Sequence, residues 1–416
     1  MTMTLHLRLR SCLMKHALAL LTASVVVVGC GDPVSPTRAP ADRARLNVDA
    51  PLTAQSILAR YVALGTSNSM GVQSAGIYAP GQRAAWPAQL AARAGVTFSL
   101  PLVQDPGCGP PLLPPLAADV VLVGAFGNDL VTAVMSTCAP LQAGVTLPAN
   151  NVAISGADVH DALYSTTESQ GTTTRTGTLY SRVLLPGQTQ VAAMVAQQPT
   201  FVSVELAAND VLPASTGRIS AMTPYADWER DYDQVLAAVH GTAARGVLVG
   251  LPDDAANFPS IRRARELFNE WPSLRALGIS VSLNCYFSSN YLFVPGYILT
   301  LLSRTPATAT CADVPGAADY VLTASDMNAI NARMAQMNGH MQTKAAENGY
   351  AYFSLDAVYG LAKPRFSVFD LLFSSTPFGA HISLDGVHPS AQGQALLATA
   401  AARAIGATYG VSIAVP

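Results

Sequence analysis

Tyr61-Val62-Ala63-Leu64-Gly65-Thr66-Ser67-Asn68-Ser69-Met70-Gly71 is the stretch on which the reading of this 416-residue chain turns. Four residues with no polar face read as a strand buried on both sides, as in a parallel sheet covered by helices. The glycines that follow permit a sharp strand-to-helix turn, and such a turn exposes a side chain at the carboxyl edge of the sheet, where ligands bind. Ser67 stands at that edge.

Working outward, short β-rich runs alternate with helical stretches, the signature of an α/β domain with a mostly parallel sheet. Strands are expected at Asn151 to Ile154, Phe201 to Glu205, Gly246 to Leu251 and Tyr352 to Leu355. Helices are expected at Trp86 to Ala94, ended by Gly95, at Gln190 to Gln197, and at Trp228 to Ala244. Thr323 and Asp326 form a capping box that opens a further helix through about Glu347, and Ser390 caps a last one to Ile405. Long non-periodic segments near 100–150, 164–180 and 258–318 are expected as insertions around one domain of residues 56–416. Ser165 to Thr178 reads as a surface loop.

The composition narrows the class. The chain is 50% hydrophobic and 12% charged, with a formal net charge of −2 and a mean hydropathy of +0.29, which excludes intrinsic disorder. The basic residues, 21 Arg and 3 Lys, form no block beyond Arg262-Arg263-Ala264-Arg265. Nucleic acid is therefore not an expected partner.

Arg8, Arg10, Lys15 and His16 precede an apolar run from Ala17 to Val28, long enough for a signal-peptide core and too short to span a bilayer. Residues 1–29 thus read as a signal peptide, with Met14 as an alternative start. The run ends Val27-Val28-Gly29-Cys30, which resembles the lipobox of bacterial lipoproteins and makes Cys30 the expected lipidation site. An ordinary secretory peptide with an unmodified Cys30 is the alternative. Residues 30–55 read as a flexible tether. Removal of residues 1–29, which hold three bases and no acid, leaves 21 bases against 26 acids and a net charge of −5. The expected place is the cell envelope, held to the membrane by lipid, with the oligomeric state open.

Beyond Cys12 and Cys30, four cysteines remain. Pairing Cys108 with Cys138 and Cys285 with Cys311 closes the shortest loops, although sequence leaves two other pairings open. A zinc site fits less well, since no Cys-x-x-Cys pair and no clustered His is present.

Acyl transfer at a serine needs a nucleophile at a tight turn, a His to take its proton, an acid to orient the His, and donors where negative charge develops. In Ser383-Leu384-Asp385-Gly386-Val387-His388-Pro389-Ser390, Gly386 lets the chain turn so that Asp385 reaches one ring nitrogen of His388. Here the chain resembles the SGNH (GDSL) hydrolase superfamily, with its four blocks in order. Gly65-Thr66-Ser67 matches the Gly-Asp-Ser-Leu block and Asn151 to Gly156 the block that contributes an oxyanion glycine. Ala207-Ala208-Asn209-Asp210 matches Gly-x-Asn-Asp, and Asp385 to Pro389 matches the acid/base block.

The resemblance, over about residues 57–407, implies a three-layer, flavodoxin-like fold around a five-stranded, mostly parallel sheet. It implies Ser67 as nucleophile, His388 as general base and Asp385 as its orienting acid. The Ser67 and Gly156 amides and the Asn209 side chain would hold the oxyanion. The implied activity is hydrolysis of carboxylic esters of lipids, small molecules or glycans, without metal or cofactor. A non-catalytic envelope scaffold and a glycan acyltransferase are the alternatives.

Two positions depart from the pattern: Thr66 replaces an aspartate and Ala207 a glycine. Gly127-Asn128-Asp129 copies the third block more literally, but it precedes Gly156, whereas Asn209 follows both Gly156 and a strand. Asp158, His160 and His381 read as surface residues. His240 and His340 show no acidic partner at useful helical spacing.

Overall fold

A computed structural model describes residues 52–116, 138–171, 175–304 and 306–415. The signal region, Cys30, the tether and Gly127-Asn128-Asp129 lie outside them. Four parallel strands form the central sheet: β1 (Tyr61–Gly65), β2 (Phe201–Glu205), β3 (Arg245–Gly250) and β4 (Ala351–Ser354), hydrogen-bonded in that order. Residues 151–154, expected as a strand, lie along the free edge of β1 as a parallel bridge and not a full ladder. Ala63 N donates to Asn150 O, Val152 N to Ala63 O and Ile154 N to Gly65 O, at 2.9, 2.9 and 3.1 Å. With this segment the sheet has five positions, and the order of connection reverses between β1 and β2. That switch point opens a crevice at the carboxyl ends of the strands.

Both faces of the sheet are buried, and successive residues alternate between two cores. Val62, Leu64, Val202, Val204 and Leu248 share one core with buried residues of three helices, α3 (Gln190–Ala196), α4 (Tyr225–Gly241) and α5 (Ala324–Asn348). Tyr61, Ala63, Phe201, Val247, Val249, Ala351 and Phe353 share the other with α2 (Trp86–Ala94) and α6 (Ala391–Tyr409). This period-two partition makes three layers out of strands that read as largely apolar runs. The helix signals act as expected: Gly95 (φ +68°) closes α2, Thr323 and Asp326 form the capping box of α5, and Ser390 caps α6. The turn after β1 is the short helix α1 (Ser67–Met70).

Residues 258–318, expected as a long non-periodic insertion, hold short strands and helices. Ile261–Arg263, Tyr291–Phe293 and Val321–Leu322 form a small antiparallel sheet, and Ile279–Val281 pairs with Ala307–Ala309. Elements of two to nine residues are too short to display a period. The stretch near 164–180 likewise holds the helices Thr167–Gln170 and Arg175–Val183 in place of the expected surface loop. Disulfides join Cys108 to Cys138 and Cys285 to Cys311. No described helix is long and apolar enough to cross a membrane.

Candidate active site

Strand β1 ends at Gly65, and the chain turns at once into α1. A Cβ on Gly65 would lie 2.6 Å from Ser69 Oγ, so only glycine lets the turn fold this closely over the strand end. Ser67, the first residue of α1, is 8% exposed. Two amides brace the turn from outside: Asn151 Nδ2 donates to Ser69 O at 2.7 Å, and Gln190 Nε2 to Gly65 O at 2.9 Å. Thr66 N and Thr66 Oγ1 donate to the carboxylate of Glu205, the last residue of β2, at 2.9 to 3.0 Å. Thr66 therefore meets a carboxylate where the resembled motif has one of its own.

At the other end of the chain, Asp385 Oδ2 lies 2.8 Å from His388 Nδ1. Gly386 (φ +73°) provides the bend between them, and a Cβ there would also strike the Phe378 ring. Asp385 accepts further bonds from Val387 N and His388 N, each at 2.8 Å, from Ser383 Oγ at 3.1 Å, and from Ala75 N at 2.6 Å. Ser74 (φ 52°) and Ala75 (φ 60°) adopt the left-handed conformation in the segment after α1, which aims the Ala75 amide at the acid. Burial, the largest influence on Asp385, pushes its pKa up, but the charge of His388 and these donors outweigh it and hold the carboxyl at about 2.

Asn209 lies in the helical turn after β2, and its Nδ2 donates to Ala157 O at 2.7 Å. One amide hydrogen is thus committed and the second is available. The bond ties the Asn209 turn to the one holding Gly156, an exposed residue at φ +87°. Asp210, fully buried, accepts from Val159 N at 3.3 Å, and burial together with the nearby Asp158 pushes its pKa up to about 7.

Ser67, Asn209 and His388 line one cavity of about 700 Å³ including its open mouth. Gly156 does not line it. The rest of the wall is largely apolar: Val211 and Leu212 after the Asn209 turn, Ile330 and Met334 of α5, and Phe258 and Phe293 from the folded insertion. The described residues contain no cluster of His, Cys, Asp and Glu suited to a metal ion. The cavity joins an apolar compartment to a serine, an imidazole and a carboxamide, a set that can hold an acyl group and move one proton.

Glu205, Ala75 and Lys363 were not singled out in the sequence. Lys363 Nζ donates to the carbonyls of Ala256 and of Ile261, the second a residue of the cavity wall, and burial pushes its pKa down to about 8. An acid closing an apolar strand is the one signal that could have drawn attention to Glu205. The remaining polar candidates lie elsewhere. Asp158 caps the helix Val159–Tyr164, and the exposed His160 contacts Asp231 at 2.9 Å. His340 does have acidic partners, Asp233 at 2.8 Å and Glu229 at 3.3 Å. They belong to the neighbouring helix α4, beyond the reach of a spacing argument along α5.

The GDSL-like Lipase/Acylhydrolase family model matches residues 61–401. Curated proteins gave no match. Among solved structures, an extracellular lipase from Streptomyces rimosus is 15% identical with a TM-score of 0.33, over 82% of this chain and 98% of its own. Phospholipase A1 from Streptomyces albidoflavus NA297 is 17% identical with a TM-score of 0.34, over 82% and 98%. An acetyl xylan esterase from Geobacillus stearothermophilus is 12% identical with a TM-score of 0.34, over 86% and 96%.

Proposed function

The chain belongs to the GDSL-like lipase/acylhydrolase family and is an ester-bond hydrolase; we propose that it cleaves carboxylic esters through an acyl-enzyme on Ser67. His388 takes the Ser67 proton as Oγ attacks the ester carbonyl and returns it to the leaving alcohol, while Asp385 holds the ring at Nδ1. Water then repeats the sequence on the acyl-enzyme. The tetrahedral oxyanion is met by the amide of Ser67 and by the free hydrogen of the Asn209 side chain, and Gly156, which stands outside the cavity wall, is left out of the donor set. The observation that carries this reading is the shared cavity of Ser67, Asn209 and His388, with Asp385 on the far ring nitrogen.

The apolar wall supports an acyl chain as its occupant. In a series of p-nitrophenyl esters from acetate to octanoate, kcat/KM should rise about fourfold per methylene until the cavity is full, as expected for burial of about 0.8 kcal/mol per CH₂. A steady fall from acetate onward would show that the cavity takes no acyl chain.

We also propose that the protein is exported and held in the cell envelope by lipid on Cys30, which the basic and apolar segments before that residue and the two disulfides support. Cys30→Ser should move the protein from the membrane to the soluble fraction. Membrane association unchanged by the substitution, with no lipid on the wild-type protein, would refute the anchor.

A further inference from the structure

We propose that Glu205 is the positioning residue of the nucleophile turn, a carboxylate supplied by β2 that holds Thr66, Asn68 and Ser69 and so fixes Ser67 between them. The proposal rests on the reading of Ser67 as nucleophile.

Glu205 is 2% exposed, and no Lys, Arg or His pairs with it among the described residues. Among the described residues, every hydrogen bond of its side chain goes to the turn. Oε2 accepts from Thr66 N at 3.0 Å and Ser69 N at 3.2 Å. Thr66 Oγ1 reaches both oxygens, and Asn68 Nδ2 approaches Oε1 at 3.5 Å. Burial pushes the Glu205 pKa up, and the Thr66 and Ser69 donors pull the other way.

A buried acid is costly unless donors surround it. Here the donors belong to the two residues that follow Ser67 and the one that precedes it. Any rotation of the turn that re-aims Ser67 Oγ or its N–H strips donors from a buried carboxylate, so the arrangement resists misalignment. Thr66, in place of the motif's aspartate, completes the device: it supplies a hydroxyl donor where a second acid would compete for the same N–H groups.

Glutamine at position 205 can keep much of this. Its oxygen can accept from Thr66 N and Ser69 N, and its amide can donate to Thr66 Oγ1, which lies within reach of both oxygens of the present carboxylate. Alanine keeps none of it. Misplacing a reacting group by about 1 Å can cost roughly 10²-fold.

The test compares wild type with Glu205→Ala, Glu205→Gln and Thr66→Val on one p-nitrophenyl ester, with the rate of fluorophosphonate labelling of Ser67 read beside it on protein shown to be folded by circular dichroism. Glu205→Ala should lower kcat and the labelling rate by about 10²-fold while KM stays within about threefold, and Glu205→Gln should stay within about fivefold of wild type. A purely structural role would lower the melting temperature without slowing labelling of the folded protein. Folded Glu205→Ala that turns over and labels at the wild-type rate, or loses only in KM, overturns the proposal. Should Glu205→Ala not fold, Thr66→Val decides: a kcat about fivefold lower supports the brace, and an unchanged kcat refutes it. Wild-type protein unlabelled at Ser67 would overturn the nucleophile reading itself, and this proposal with it.

Discussion

Ser67→Ala is expected to lower kcat for carboxylic esters by about 10⁵- to 10⁶-fold, the scale on which removal of a serine nucleophile acts in triad enzymes. The loss is this large because no other side chain at the strand edge can form the acyl-enzyme. Asn68 is an amide, and Ser69, though a serine, has its Oγ buried against the strand end, within 2.6 Å of where a Gly65 Cβ would stand. The fold should tolerate the change, since no hydrogen bond of the Ser67 side chain is among those that brace the turn. Oxyanion donors and acyl binding would remain and leave a residual rate above that in water. The measurement is single-turnover hydrolysis beside fluorophosphonate labelling. A variant within tenfold of wild type would exclude the covalent mechanism.

Asp385→Asn should lower kcat by about 10⁴-fold, since an amide can present the wrong partner to Nδ1 and favour the wrong tautomer of His388. The site is unforgiving: Ala75 N, Val387 N, His388 N and Ser383 Oγ converge on the two oxygens, so an NH₂ group at either position would face donors. The same donors give a stability effect of definite sign. The carboxyl titrates at about 2 in the folded chain against an ordinary value of 3.8. Its contribution is therefore present above about pH 4 and is lost as pH falls through about 2, amounting to roughly 2 kcal/mol. Denaturant titrations at stepped pH should show wild type weakening across that window more than Asp385→Asn. Equal acid sensitivity in the two proteins would mean that Asp385 is not held as described. Across neutral pH the acid stays ionised, so the acid limb of wild-type kcat/KM should not shift with this group.

Strands β1 and β2 are legible because the apolar character that calls for burial is a property of the local run itself. Tyr61 to Leu64 carries no charged or amide side chain, and Phe201 to Val204 is interrupted only by Ser203, so both read as strands buried on two faces. Asn151 to Ile154 was read as an equal member of the sheet, but it pairs only with the edge of β1, and pairing depends on a partner and not on local composition. The insertion at 258–318 is legible as an insertion, but the strands and helices inside it are shorter than one reliable period and leave no pattern to read.

The sequence by itself determined the α/β class and named the reactive candidates. Ser67 follows a strand through a glycine turn, and Asp385 and His388 share one short loop, so their chemistry is written in adjacent positions. Only the tertiary structure decided what holds them. The bonds from Thr66 to Glu205 and from Ala75 to Asp385 span 139 and 310 positions, and the cavity wall gathers Leu212, Phe258, Phe293 and Met334 from four separate segments. Hydrogen bonding and desolvation act over a few ångströms in space, and no local pattern states which distant segments will meet there.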